Sequence, residues 1–315
     1  MRRLVSLGDS FSCGEGVGLR YRPEQIWVRQ LADALGLQLH QLARPGTTLA
    51  QVRREQVPTA LALGPGAVAT VLAGPNDLFR TGYDADRLRR DAEAVATALA
   101  GAFDLVLLAR WHDPLRLYPL PRPVRRRVAR RVGDLNAAIE RAVRLADGAG
   151  PGSTGRVAVL DLTAEPQLAD RSAWAIDRVH PGIRGHDLIA ELAGRVIAEY
   201  GTGPRPGRSA APDRPVAEDL SRPAECRWWA RHGAPWMVRR IGITVRDRAS
   251  GVRPTPDTRI TGPGEADQIG AAAVRSPGLG TDPGPGPGPG QPSPSSGATG
   301  HQKVCGAGQV AGSGR

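Results

Sequence analysis

Lysine is nearly missing from this 315-residue chain: of its 42 basic residues only Lys303 is a lysine, and the rest are arginine. With 40 glycines and 28 prolines alongside, that skew reads as the codon bias of a GC-rich genome, so the net charge of +11 is poor evidence for a nucleic-acid partner. Residues 1–200 carry 27 basic and 22 acidic side chains (27 − 22 = +5), and residues 201–315 carry 15 and 9 (15 − 9 = +6). The first part is only mildly basic, and no nucleic acid is expected. Cysteine is scarce as well. Cys13, Cys226 and Cys305 stand too far apart for a metal-ligand spacing or a disulfide framework, and nothing points to an oxidising compartment. Long apolar runs are lacking: Arg2 and Arg3 are followed by only four residues before Gly8-Asp9-Ser10, too few for a signal peptide, and no stretch is long enough to span a bilayer. A soluble cytoplasmic protein is the expectation.

What is present divides the chain in three. From residue 1 to 200, short apolar runs alternate with amphipathic stretches, about the length of one domain. Residues 201–245 form a linker and a Trp/Arg-rich segment, and residues 246–315 are a low-complexity tail. That tail contains a Pro-Gly repeat over residues 283–290 and has too few large apolar side chains to offset its chain entropy, so disorder is expected there. Within the first part five runs read as strands: Leu4 to Leu7, Leu37 to Leu42, Ala67 to Leu72, Leu105 to Ala109 and Val157 to Leu160. Between them, apolar residues at spacings of three and four predict helices, as with Ile26, Trp27, Leu31 and Leu35, or Leu88, Ala92, Val95 and Leu99. Two more run from Pro123 to about Ala146 and from Ile183 to Tyr200. Strands alternating with helices predict an α/β fold: a three-layer α/β/α sandwich on a five-stranded parallel sheet, with flavodoxin-like winding.

Open α/β sheets bind ligands beyond the carboxyl ends of their strands, so the residues that follow each run matter most. After the first comes Gly8-Asp9-Ser10, after the second Ala43-Arg44-Pro45-Gly46-Thr47, after the third Gly74-Pro75-Asn76-Asp77, and after the fifth Asp177-Arg178-Val179-His180. Each block alone is weak. Gly8-Asp9-Ser10 by itself is a turn with Asp9 capping a helix, and His180 before Pro181 by itself is a solvated loop histidine.

Taken in order on one sheet edge, the four blocks resemble those of the SGNH (GDSL-like) hydrolases, over about residues 1–200. The resemblance implies an esterase with Ser10 as nucleophile, His180 as base and Asp177 orienting His180. It also implies an oxyanion hole made of the backbone N–H groups of Ser10 and Gly46 and the side-chain amide of Asn76, with Asp9, Gly74 and Asp77 supporting the loops. No cofactor and no metal are implied, and the partner is a small-molecule acyl ester. The residue types suit this chemistry, because a serine hydroxyl needs a base to take its proton, and the base needs a third group to fix its tautomer. Glycine at position 46 lets the backbone approach a substrate closely. Carbohydrate acetyl esters, lysophospholipids, aryl esters and thioesters all fit such a site, as does acyl transfer.

Three further features of the sequence bear on the site. Pro45 and Pro75 precede the proposed oxyanion residues and remove two backbone donors. Residues 111–121 are apolar and loop-like, and read either as a substrate-lining lid or as a loop packed on the sheet. Trp228, Trp229 and Trp236 lie among arginines in a segment that resembles the one following the catalytic domain in actinobacterial members of the family. That segment either docks on the domain or makes weak contact with an anionic membrane surface. The rival readings of the whole chain are a non-catalytic α/β binding module and a membrane-surface adaptor working through the basic tail, and the oligomeric state is left open.

Overall fold

The computed structural model describes residues 2–16, 19–80, 82–118, 121–147, 155–201 and 221–233. The low-complexity tail and Trp236 lie outside them. Five strands form one parallel sheet: β1 (Arg3–Gly8), β2 (Gln38–Gln41), β3 (Gly66–Leu72), β4 (Phe103–Arg110) and β5 (Arg156–Asp161). Their order is β2-β1-β3-β4-β5, the flavodoxin-like winding, in which the order reverses between β1 and β3. Each strand grows from one of the five runs. Inner strands covered on both faces are near-continuous apolar runs, and in β3 every residue after Gly66 is buried, Thr70 included. The outermost strand β2 is different: Gln38 and Gln41 are exposed and only Leu39 and His40 are half-buried between them. It is therefore shorter than the run from Leu37 to Leu42.

Helices cover the sheet on both sides. They are α1 (Ser10–Cys13), α2 (Trp27–Leu35), α3 (Leu49–Gln51 continued through Val52–Gln56 and Val57–Ala62), α4 (Pro75–Leu78), α5 (Ala85–Ala100), α6 (Arg122–Asp147) and α7 (Ile183–Glu199). Helix α2 packs with α7, while α5 packs with α6 and α3. The apolar stripes that predicted these helices are the buried ones: Leu88, Ala92, Val95 and Leu99 of α5, and Val128, Val132, Leu135 and Ile139 of α6. Asp84 caps α5 by accepting from the N–H groups of Asp86 and Arg87. With so few aromatics, the core is built of Leu, Val and Ala around three fully buried tryptophans, Trp27, Trp111 and Trp174.

Two strand ends meet tightly. Gly8, at the end of β1, has φ +134°, and a Cβ there would lie 2.0 Å from the carbonyl oxygen of Leu72 on β3. On the other side of Gly8, where β2 has already ended, the Gln56 side chain takes the place of a neighbouring strand. Its Oε1 accepts from Gly8 N at 2.7 Å and its Nε2 donates to Gly8 O at 2.9 Å. Gln56 comes from the π turn in the middle of α3.

Candidate active site

The carboxyl ends of β1 and β3 flank the switch in strand order, and the site is built from the loops that leave them. After β1, Asp9 caps α1: its Oδ1 accepts from Phe11 N at 3.0 Å, which starts the helix at Ser10. The α1 turn is pinned from below, because the Trp27 indole donates to Phe11 O at 2.9 Å. Asp9 is fully buried, and its Oδ2 accepts from Asn76 Nδ2 at 3.0 Å across the gap to the β3 loop. Asn76 Nδ2 also donates to Thr47 O at 3.1 Å, in the loop after β2. Asp77 ties the same two loops again, accepting from Leu49 N at 3.0 Å. Gly74 has φ +126°, and a Cβ there would strike the Leu135 side chain at 2.7 Å, so the β3 loop turns where only glycine fits. Pro75 stands in the first turn of α4, where a missing N–H costs nothing. Gly46 is buried with φ +70°. Among the described residues, the N–H groups of Ser10 and Gly46 take no acceptor.

The fourth loop, 171–182, brings Asp177 and His180 to the same place. His180 Nε2 lies 2.8 Å from Ser10 Oγ, and its Nδ1 lies 2.5 Å from Asp177 Oδ2. The second oxygen of Asp177 accepts from the N–H groups of Val179 and His180, at 3.0 and 3.1 Å. One carboxylate thus folds its own loop and holds the ring, which is why three residues suffice to separate the two. All three side chains are largely buried. A hydroxyl, an imidazole and a carboxylate in this line can work together, the ring taking a proton from the hydroxyl and the carboxylate steadying the imidazolium so formed. Ser12 is not so placed: its Oγ is buried and without a hydrogen-bond partner among the described residues.

Aromatic rings wall the site. Phe11 lies 4.8 Å from Trp111, 6.2 Å from Trp174 and 5.8 Å from His180, between ring centroids. The apolar loop after β4 is packed down over residues 111–118. Trp111 Nε1 donates to Ala73 O, Asn136 bonds both backbone groups of Trp111, Arg116 donates to Leu168 O, and the Tyr118 hydroxyl donates to the carbonyl of Asp177. Gln56 carried no sequence signal, Tyr118 stood out only as part of the apolar loop 111–121, and Thr47, within its block, contributes through its backbone carbonyl. Among the described residues no cluster of three or more His, Cys, Asp or Glu is placed to hold a metal, and no helix is long and apolar enough to cross a membrane.

Sandwich, winding and edge loops together define the class of α/β hydrolytic folds with a serine at the end of the first strand. The match to the GDSL-like Lipase/Acylhydrolase family spans residues 6–188, and the chain belongs to that family as an ester-hydrolysing enzyme. Among solved structures, TesA matches at 20% identity and a TM-score of 0.48, over 63% of this chain and 99% of its own. The psychrotrophic esterase EstA from Pseudoalteromonas sp. matches at 15% and 0.49, over 64% and 100%. A Clostridium thermocellum family 3 carbohydrate esterase matches at 19% and 0.46, over 63% and 96%. Comparison with curated proteins gives no match.

Buried titratable groups around the site give the fold a pH dependence. Burial pushes His112 and His186 down from 6.5 to about 3. Both are neutral in the folded protein and take up a proton on unfolding, so their stabilisation is whole above pH 6.5 and drains as pH falls toward 3. Asp77 has the opposite sign: burial raises its carboxyl from 3.8 to about 7, so its contribution is present below 3.8 and is lost as pH rises through 7. Asp91, likewise raised by burial, sides with Asp77, whereas Asp161, Glu93 and Glu225, whose burial is outweighed by hydrogen bonds and arginine charges, are lowered and so side with the histidines. The melting temperature is expected to fall as pH is lowered from about 7 to about 4. Both ring nitrogens of His112 are buried without partners among the described residues, and its ring stands edge-on to Trp174 at 4.8 Å. His112→Phe keeps that contact and should flatten the decline. Parallel melts of the two proteins over that pH range would count against this account if they showed the same slope.

Proposed function

We propose that the chain is a cofactor-independent serine esterase that works through an acyl-serine intermediate. His180 bridging Ser10 and Asp177 is the observation that carries this reading. Ser10 Oγ attacks the ester carbonyl carbon while its proton passes to His180 Nε2, and the bond to the alcohol breaks as that proton is handed to the leaving oxygen. Water then repeats the exchange and frees the acid. Asp177 holds the ring in the tautomer whose Nε2 faces the serine.

Negative charge on the tetrahedral oxygen meets the N–H groups of Ser10 and Gly46, both without an acceptor among the described residues. Asn76 supplies the third donor in a less direct way, since its amide nitrogen already donates to two oxygens. The bond to the Asp9 carboxyl sets the amide's direction. The bond to the Thr47 carbonyl is the one exchanged, because an oxyanion is the stronger acceptor. Asn76→Ala is expected to lower kcat by about 10²–10³-fold with little change in KM. A change confined to KM would assign Asn76 to substrate binding instead. The reading as a whole is tested by labelling with a fluorophosphonate: Ser10 must be the modified residue, and a hydrolysis screen over acyl chain lengths then defines the substrate.

A further inference from the structure

Beyond the domain, the described residues resume with one short helix, α8 (Arg222–Trp228), capped by Ser221 and continued by a π turn over Trp229–Gly233. It begins more than thirty residues after the end of the family match at residue 188. Its contacts converge on the loop that carries Asp177 and His180. Glu225 is buried and meets two arginines of that loop. Arg171 reaches Glu225 Oε1 through Nε at 3.0 Å and Nη2 at 2.5 Å; Arg178 reaches Oε2 through Nη2 at 2.5 Å and Oε1 through Nε at 3.3 Å. The remaining donors of these arginines are turned inward too, Arg171 Nη1 to Trp174 O at 2.6 Å and Arg178 Nη1 to Leu117 O at 3.2 Å. Beside this clamp, Trp228 is buried against Ala175, and Trp229 stands edge-on to Tyr118, the residue whose hydroxyl donates to the Asp177 carbonyl.

Arg178 occupies an unusual backbone state. It is the only described non-glycine residue with positive φ, at +60°, and it lies between Asp177 and His180. A bulky residue does not stay in the left-handed region unless its surroundings hold it there. What holds Arg178 from the side-chain end is Glu225. The same carboxylate neutralises Arg171, so without it two partly buried guanidinium groups would share one corner with no counter-charge. Burial alone would raise the Glu225 carboxyl, yet it is held below its ordinary range by the bonds from Arg178 and Arg171, which keeps the clamp charged.

We infer that Glu225 is a positioning residue of this active site: from outside the matched domain, it holds the Asp177–His180 loop in register with Ser10 through Arg178 and Arg171. The inference rests on the reading of Ser10 and His180 given above. The clamp touches no reacting atom, so its loss misplaces the base relative to the nucleophile without altering the acyl pocket. Misplacing a catalytic group by about an ångström costs up to about 10²-fold.

The test compares the full chain with Glu225→Gln, Arg178→Ala and the double variant, using hydrolysis of a short aryl ester and the rate of fluorophosphonate labelling. Each single variant is expected to lower kcat by about 10–10²-fold and to slow labelling in proportion, with KM unchanged. The double variant should be no slower than the worse single, because both break one link. Fold-losses that multiply in the double variant, a loss that falls on KM, or a wild-type kcat in Glu225→Gln would each overturn the inference. Should Glu225→Gln fail to fold, Arg178→Ala decides alone, since it leaves Arg171–Glu225 and the tryptophan contacts in place. A fall in kcat at constant KM then supports the clamp, and a wild-type kcat refutes it. Failure of the underlying reading is separate: it shows as wild-type protein that the phosphonate does not label at Ser10.

Discussion

Ser10→Ala and His180→Ala are each expected to remove ester hydrolysis, on the order of 10⁴–10⁶-fold in kcat, and combining them should cost no more than either alone. The non-additivity follows from geometry: with Oγ and Nε2 2.8 Å apart, each group is idle without the other. The fold should survive both changes. Asp9 starts α1 through its own carboxylate, and the turn 177–180 is held by Asp177 accepting two backbone N–H groups, so neither depends on the serine hydroxyl or the imidazole. Turnover of a short aryl ester, measured beside the melting temperature, is the check. Wild-type turnover from a folded Ser10→Ala protein would sink the mechanism.

A second large effect is expected from Asp177→Asn, about 10⁴-fold in kcat with the fold kept. Asparagine preserves the oxygen that accepts from Val179 and His180, so the loop has no reason to open. It replaces the other oxygen, 2.5 Å from His180 Nδ1, by an NH₂ group. The ring must then turn a lone pair toward the amide, which moves its proton to Nε2, facing Ser10, where it can no longer accept one. A loss smaller than about tenfold would show that tautomer control is not what the carboxylate provides.

The sheet was legible because parallel strands covered on both faces have to be written as apolar runs, and β1, β3 and β4 are. The edge strand β2 was legible only in part: its solvent side let Gln38 and Gln41 in, and the apolar residues flanking them blurred its ends. Helix α3 left no clear stripe, since a π turn breaks its periodicity and Pro58 interrupts it further. At the site, local chemistry was readable and tertiary chemistry was not. Asp177 and His180 sit three apart and announce themselves, as does glycine at positions 46 and 74. Gln56 filling in for a strand, the Thr47 carbonyl receiving Asn76, and Glu225 reaching the loop from 47 residues beyond Arg178 are products of the folded path alone. No spacing rule marks them. Of residues 111–121, the part described is packed on the sheet and hydrogen-bonded from several sides, as a lid free to move would not be.

The contact of Gly8 with Leu72 has a consequence for how such an enzyme diversifies. β1 delivers Ser10 and β3 delivers Asn76, and the two strands are butted together at Gly8, where even one methyl group would not fit. The roots of the two loops that carry Ser10 and Asn76 are thereby held by main chain against main chain. Side chains further along those loops can change without touching this seam, so on the proposed mechanism the framework that carries Ser10 and Asn76 outlasts changes in what surrounds them. Gly8→Ala would do the reverse, leaving every side chain of the two loops unchanged and prising their roots apart.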